Sequence, residues 1–90
     1  MMRGADVQIV WDLADDPDGN ARHILEGHDV SLEEVEQVLR RYSHQYVVSR
    51  KSGYRITYGQ TDTGREIAVV WECVGEHPLV VYPITAWPTE

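Results

Sequence analysis

Four histidines are spread along the chain, His23, His28, His44 and His77, beside a single cysteine, Cys73. Metal ligands have to converge, and their spacing shows it. His23 and His28 are five residues apart, off one helical face, and neither an HExxH pattern nor a cysteine or histidine pair near Cys73 occurs. These histidines therefore read as surface or capping residues, and no metal and no cofactor is expected. Cys73 stands in an apolar stretch and reads as core packing rather than as a nucleophile. The acids Asp15, Asp16 and Asp18 fall where a helix begins, where carboxylates complement the dipole without any catalytic purpose. There is no glycine-rich phosphate loop and no nucleophile elbow.

A set of cations and aromatics remains: Arg50, Lys51, Arg55 and Arg65 with Tyr46, Tyr54, Tyr58 and Tyr82. Arginines on a sheet beside tyrosines hold phosphates and stack bases. They also offset the charge that develops when an RNA 2′-hydroxyl attacks its own phosphate, with a histidine or tyrosine moving protons and no metal. The plain alternative is a salt-bridged sheet surface with aromatic cross-strand pairs.

Charge is unevenly distributed. The net charge is −7, yet residues 1–39 carry ten acids against two bases, residues 40–65 six bases against one acid, and residues 66–90 four acids and no base. A uniformly acidic domain repels nucleic acid; this one has a basic middle. Ninety residues make one domain, 1–90, and the composition (42% apolar, 26% charged) is that of a globular chain. No apolar run is long enough to span a membrane, and residues 1–10 lack the apolar core of a signal peptide, so a cytoplasmic location is expected.

The elements that must position these residues follow from periodicity. Residues 7–11 are β-branched and apolar and predict a strand. Asp16-Pro17 predicts a helix start, with the helix over 18–26 and Ala21, Ile24 and Leu25 as its apolar stripe. Ser31 and Glu34 form a capping box before a second helix, with Leu32, Val35, Val38 and Leu39 buried, Glu33, Glu34, Glu36 and Gln37 facing water, and Arg40 and Arg41 at its C-terminal end. Strands are expected over 45–49, 54–60, 66–74 and 79–85. The third of these is apolar on both faces and therefore central, and Pro83 marks an edge, an end or a bulge. The order is βααββββ: an α+β domain in which two helices pack on one face of a mostly antiparallel sheet.

Trp11-Asp12, Asn20, His28 and the run Val30-Ser31-Leu32-Glu33-Glu34-Val35 resemble the N-terminal signature of BrnT-like toxins. Tyr54-Arg55-Ile56-Thr57-Tyr58-Gly59, then Thr63-Gly64-Arg65-Glu66-Ile67-Ala68-Val69-Val70, resemble that family's arginine strand, hairpin and central strand, and Pro83-Ile84-Thr85-Ala86 its closing segment. The resemblance spans residues 7–87. It implies a RelE-like fold and the toxin half of a bacterial toxin–antitoxin pair, a metal-independent ribonuclease neutralised by a bound antitoxin protein. It matches Arg55 and Arg65 to basic residues of the family's sheet and His28 to the histidine after its first helix. The chain departs from the pattern at Gly27-His28-Asp29, at Trp87, where the pattern has an arginine, and in lacking the basic C-terminal helix; these departures imply an attenuated or inactive variant.

Two main readings follow. In the first, Arg55 and Arg65 neutralise the scissile phosphate, Arg50 and Lys51 steer RNA with His28 nearby, and His44 or Tyr58 handles protons. In the second, the fold is a non-catalytic interaction module that binds an acidic protein segment or forms a homodimer through an edge strand. A histidine-based metal or small-molecule enzyme is a third reading.

Overall fold

The computed structural model describes residues 7–27 and 29–89. Two helices and five strands follow one another as β1 (Val7–Ile9), α1 (Asn20–Gly27), α2 (Leu32–Tyr42), β2 (Val47–Val48), β3 (Arg55–Gln60), β4 (Glu66–Gly75) and β5 (Leu79–Pro88). The order and the α+β class are those expected from the sequence. The strands form one mixed sheet in the spatial order β1-β5-β4-β3-β2. The last four strands make an antiparallel meander, and β1 joins β5 in parallel.

The core fills the space between the helices and one face of the sheet. Ile24 of α1 and Val35, Val38 and Leu39 of α2 pack on Ile67, Val69 and Trp71 of β4 and on Val81 and Ala86 of β5. Alternation along β4 sends these odd-numbered residues inward. In β5 the inward set changes parity, from Val81 and Pro83 to Ala86. The register explains it: Trp71 pairs with Pro83 but Val70 with Thr85, so Ile84 is an extra residue. This bulge keeps both halves of β5 facing the core. It also accommodates a proline in a strand that is central rather than an edge, resolving the alternatives open at Pro83.

The second helix starts as its capping box dictates: the Glu34 N–H donates to Ser31 Oγ, and the Ser31 N–H to Glu34 Oε1. The first helix starts later than Asp16-Pro17 suggested. The Asp16 carboxylate accepts the Asp18 N–H in a local turn, and the first helical N–H of α1, that of Asn20, goes to Asp12 Oδ2 instead. A carboxylate distant in sequence outcompetes the adjacent one as the cap. β1 and β2 are also shorter than expected, because each is a sheet edge with one neighbour.

The polar face of α2 does not simply face water. Glu36 accepts the Trp11 indole N–H at 2.7 Å, Gln37 accepts the Asp62 N–H, and Arg40 donates to the Val7 carbonyl. Arg41 pairs with Asp62. These contacts tie α2 to β1 and to the β3–β4 turn. Among the described residues no helix is long and apolar enough to cross a membrane.

The ring of Tyr42, the last residue of α2, lies against β3 at Gly59, where a Cβ would overlap it. Glycine is required by this close approach. Gly59→Ala should lower stability by about 1–3 kcal/mol, the usual cost of overpacking, read as a lower midpoint in chemical denaturation. Gly27→Ala, where the added Cβ meets nothing within 4 Å, should leave the midpoint nearly unchanged. Equal midpoints for the two variants would contradict this packing.

Candidate functional site

The candidate site is built around Trp71, which has no exposed surface. A buried indole N–H needs a partner, and Trp71 Nε1 donates to Thr57 Oγ1 at 2.8 Å. The Thr57 hydroxyl in turn donates to the Gln45 carbonyl at 3.0 Å. This relay fastens the segment after α2 to the inner face of β3. Tyr42 sits at Gly59, Gln45 at Thr57 and, one residue on, Tyr46 reaches the level of Arg55. The Tyr46 ring meets Trp71 edge-on, with centroids 5.8 Å apart and planes at 79°.

Arg55 opens β3 on the same face as Thr57 and directly opposite Trp71 in the ladder. Its guanidinium lies 4.4 Å from the Tyr46 ring centroid and 5.3 Å from that of Trp71. Cation–π contact of this kind contributes about 0.5–2 kcal/mol and holds the group in place. No hydrogen bond or ion pair joins it to another described residue. A guanidinium contacted through aromatic rings retains its in-plane N–H donors, a fork that fits a phosphate or carboxylate bidentately. Arg50 and Lys51 stand at the exposed tip of the adjoining β2–β3 turn. That turn is closed by the Ser49 N–H to the Tyr54 carbonyl, the Gly53 N–H to the Ser49 carbonyl, and a left-handed Gly53 at φ +78°. His44 is exposed on the segment between α2 and Tyr46.

The remaining expected site residues are placed elsewhere. Arg65 stands beyond the other end of β3, whose five residue steps span about 17 Å. It is 26% exposed in its side chain and engaged by Glu34 at 3.1 Å and Asp29 at 3.8 Å. Arg55 and Arg65 therefore do not converge on one phosphate; Arg65 instead braces the β3–β4 turn against the start of α2. Tyr58 is on the opposite face of the sheet from Arg55 and is 50% exposed, so it shares no substrate atom with that guanidinium. His28 lies outside the described residues. Among the described residues no group of three or more His, Cys, Asp or Glu is arranged to hold a metal ion.

Trp71 and Tyr46 emerge as walls of the site. Trp71 carried a usable signal: a hairpin turning at residues 62–64 pairs position 55 with position 71. A second network holds Tyr82, another tyrosine of the cation and aromatic set. Asn20 is buried and donates through Nδ2 to the carbonyls of Val10 and Pro83, while its Oδ1 accepts the Asp12 N–H. The Tyr82 hydroxyl donates to Asp12 Oδ2. Asp12 and Asn20, both part of the resemblance, thus have a structural role, because together they clamp α1 to β1 and β5. A scan against protein-family models found no match, and searches of curated proteins and of solved structures found none either.

The clamp has an electrostatic signature. The hydrogen bond to Asp12 chiefly, then burial and the charges of Asp12, Asp16 and Glu72, push the Tyr82 phenol from 10.0 up to about 12. The hydrogen bonds from Tyr82 and from the Asn20 N–H hold Asp12 below its ordinary 3.8, against the opposing effect of burial. A raised folded-state value means that the Tyr82 contribution to stability is whole below pH 10 and lost as the pH climbs through about 12. The Asp12 contribution, with its value lowered, is whole above 3.8 and lost as the pH falls through the folded value. Subtracting the ultraviolet titration of Tyr82→Phe from that of the wild type should leave one phenol ionising near pH 12. A difference curve centred at 10.0, the ordinary phenol value, would contradict the clamp.

Proposed function

We propose that this chain is a toxin-like domain of the BrnT and RelE-like type, and that the end of its sheet around Arg55 binds the RNA backbone. The observation that carries the reading is the Arg55 guanidinium, held against two aromatic rings with its donors unspent, in a strand entered from a turn that carries two exposed cations, Arg50 and Lys51. An anion docked there meets a pre-positioned fork in the one strongly basic stretch of an acidic chain.

The reaction that suits this site is metal-independent RNA cleavage. The 2′-oxygen attacks the adjacent phosphorus, the bond to the 5′-oxygen breaks, and the products are a 2′,3′-cyclic phosphate and a 5′-hydroxyl. Arg55 offsets the added charge on the phosphorane oxygens. His44 accepts the 2′-hydroxyl proton, and water supplies the proton to the leaving oxygen. Tyr46 offers a ring edge for a base, and Arg50 and Lys51 raise the local concentration of RNA. Arg65 has no chemical part in this scheme. A cognate antitoxin protein is the partner that the resemblance implies.

The test is binding and cleavage of a single-stranded oligoribonucleotide at low salt with chelator present. Arg55→Ala should reduce both at least about tenfold, the scale of a charge-assisted phosphate contact. Arg65→Ala should leave both within about twofold while lowering stability by about 1 kcal/mol, because Glu34 loses its partner. Wild-type affinity should fall steeply with added salt. RNA activity that survives Arg55→Ala but vanishes in a folded Arg65→Ala variant would overturn the assignment.

A further inference from the structure

β2 closes the sheet on one side, and among the described residues no strand lies against its outer side. Sheets commonly blunt such an edge with charge, proline or a covering loop, because its free backbone groups template another strand. Here the edge strand is two valines, Val47 and Val48, 55% and 58% exposed. The Ser49 N–H donates to the Tyr54 carbonyl at 2.8 Å. Bonded and non-bonded pairs alternate in an antiparallel ladder. The next pair, Val48 with Arg55, is therefore the non-bonded one, and the N–H and carbonyl of Val48 point away from β3. Beside them a groove of about 310 Å³ is lined by Gln45, Tyr46, Val47, Ile56 and Tyr58.

Charge decides what fits this edge. Of the six bases in residues 40–65, Arg50, Lys51 and Arg55 belong to this end of the sheet, whereas Arg40, Arg41 and Arg65 are engaged elsewhere, and the one acid, Asp62, is held by Arg41 at the far turn. Arg50, Lys51 and Arg55 have no ion pair among the described residues. A symmetric dimer sets a patch against itself, which here brings cations to cations. An acidic strand meets them with the opposite sign.

We infer that β2 is the docking edge for an extended, acidic segment of another protein, which adds to the sheet as a sixth strand. Its backbone pairs with the N–H and carbonyl of Val48. Apolar side chains on one of its faces enter the groove beside Val47 and Tyr58, and carboxylates at its end reach Arg50 and Lys51. The docking strand and the RNA contact share Arg50, Lys51 and Tyr46, but the backbone pairing at Val48 belongs to the docking strand alone, so a substitution that removes that pairing separates the two.

The probe is a blocked nine-residue peptide of alternating glutamate and valine, titrated into the full chain by calorimetry. The same peptide with lysine for glutamate, and a single-stranded oligouridylate, are run alongside. The acidic peptide should bind and its lysine counterpart should not. Val48→Pro removes an outward N–H without touching the ladder and should weaken peptide binding at least about tenfold, leaving the circular dichroism and oligouridylate binding unchanged. Val47→Glu, at an exposed position, should weaken it similarly even if the proline variant fails to fold. Unchanged peptide affinity in a folded Val48→Pro variant or in Val47→Glu would overturn the inference. Equal affinity for both peptides, binding of oligouridylate alone, or a wild-type dimer that Val47→Glu dissociates would do the same.

Discussion

An indole N–H enclosed on all sides has to find an acceptor inside the protein, and the way Trp71 finds one sets the geometry of the whole sheet end. Thr57 is the acceptor, and the same hydroxyl must then donate onward to the Gln45 carbonyl. Replacing either link leaves a buried polar group unpaired, a loss of about 1–3 kcal/mol. The relay therefore fixes the path of the chain between α2 and β2. That path brings Tyr46 against Trp71 and places both rings against Arg55. A requirement of core packing thus becomes the positioning of a surface cation.

The other polar links hold the elements together around this point. Asn20 and Asp12 hold α1 to β1 and β5, Glu34 and Arg65 hold the β3–β4 turn to α2, and Arg40 and Arg41 anchor the end of α2 at two separate places. Among these residues Arg65 is the one that the sequence offers as a candidate for chemistry, and Glu34 and Asp29 engage it. Arg55 differs in kind, because its contacts are aromatic and leave its donors unspent. The same β3 carries two surfaces of interest, an inner one at the Arg55 guanidinium and an outer one at Tyr58 and the β2 edge.

Features that rest on local rules were legible in the sequence. Ser31 and Glu34 are three residues apart and announce the second helix, and the apolar β4 announces a central strand. Alternation with period two already separates Arg55 from Tyr58, which lie three residues apart and hence on opposite faces. The hairpin turn at 62–64 already sets Arg55 opposite Trp71 and Arg65 beyond the strand end. Other features depend on partners distant in the chain. Nothing local says that Glu34, already half of a capping box, also takes Arg65. Nothing local says that Asp12 rather than Asp16 receives the first N–H of α1. The bulge at Ile84 needed the register of β4 against β5 before the proline could be placed.

The central claim is that the guanidinium of Arg55, and not that of Arg65, is the anion ligand. Nitrogen-15 NMR of the arginine side chains reads this directly during titration with a short single-stranded oligoribonucleotide. The Arg55 Nε–H resonance should shift progressively and saturably, with the Arg65 resonance staying in place because its guanidinium is held by Glu34 and Asp29. Movement of the Arg65 resonance with Arg55 stationary would contradict the account.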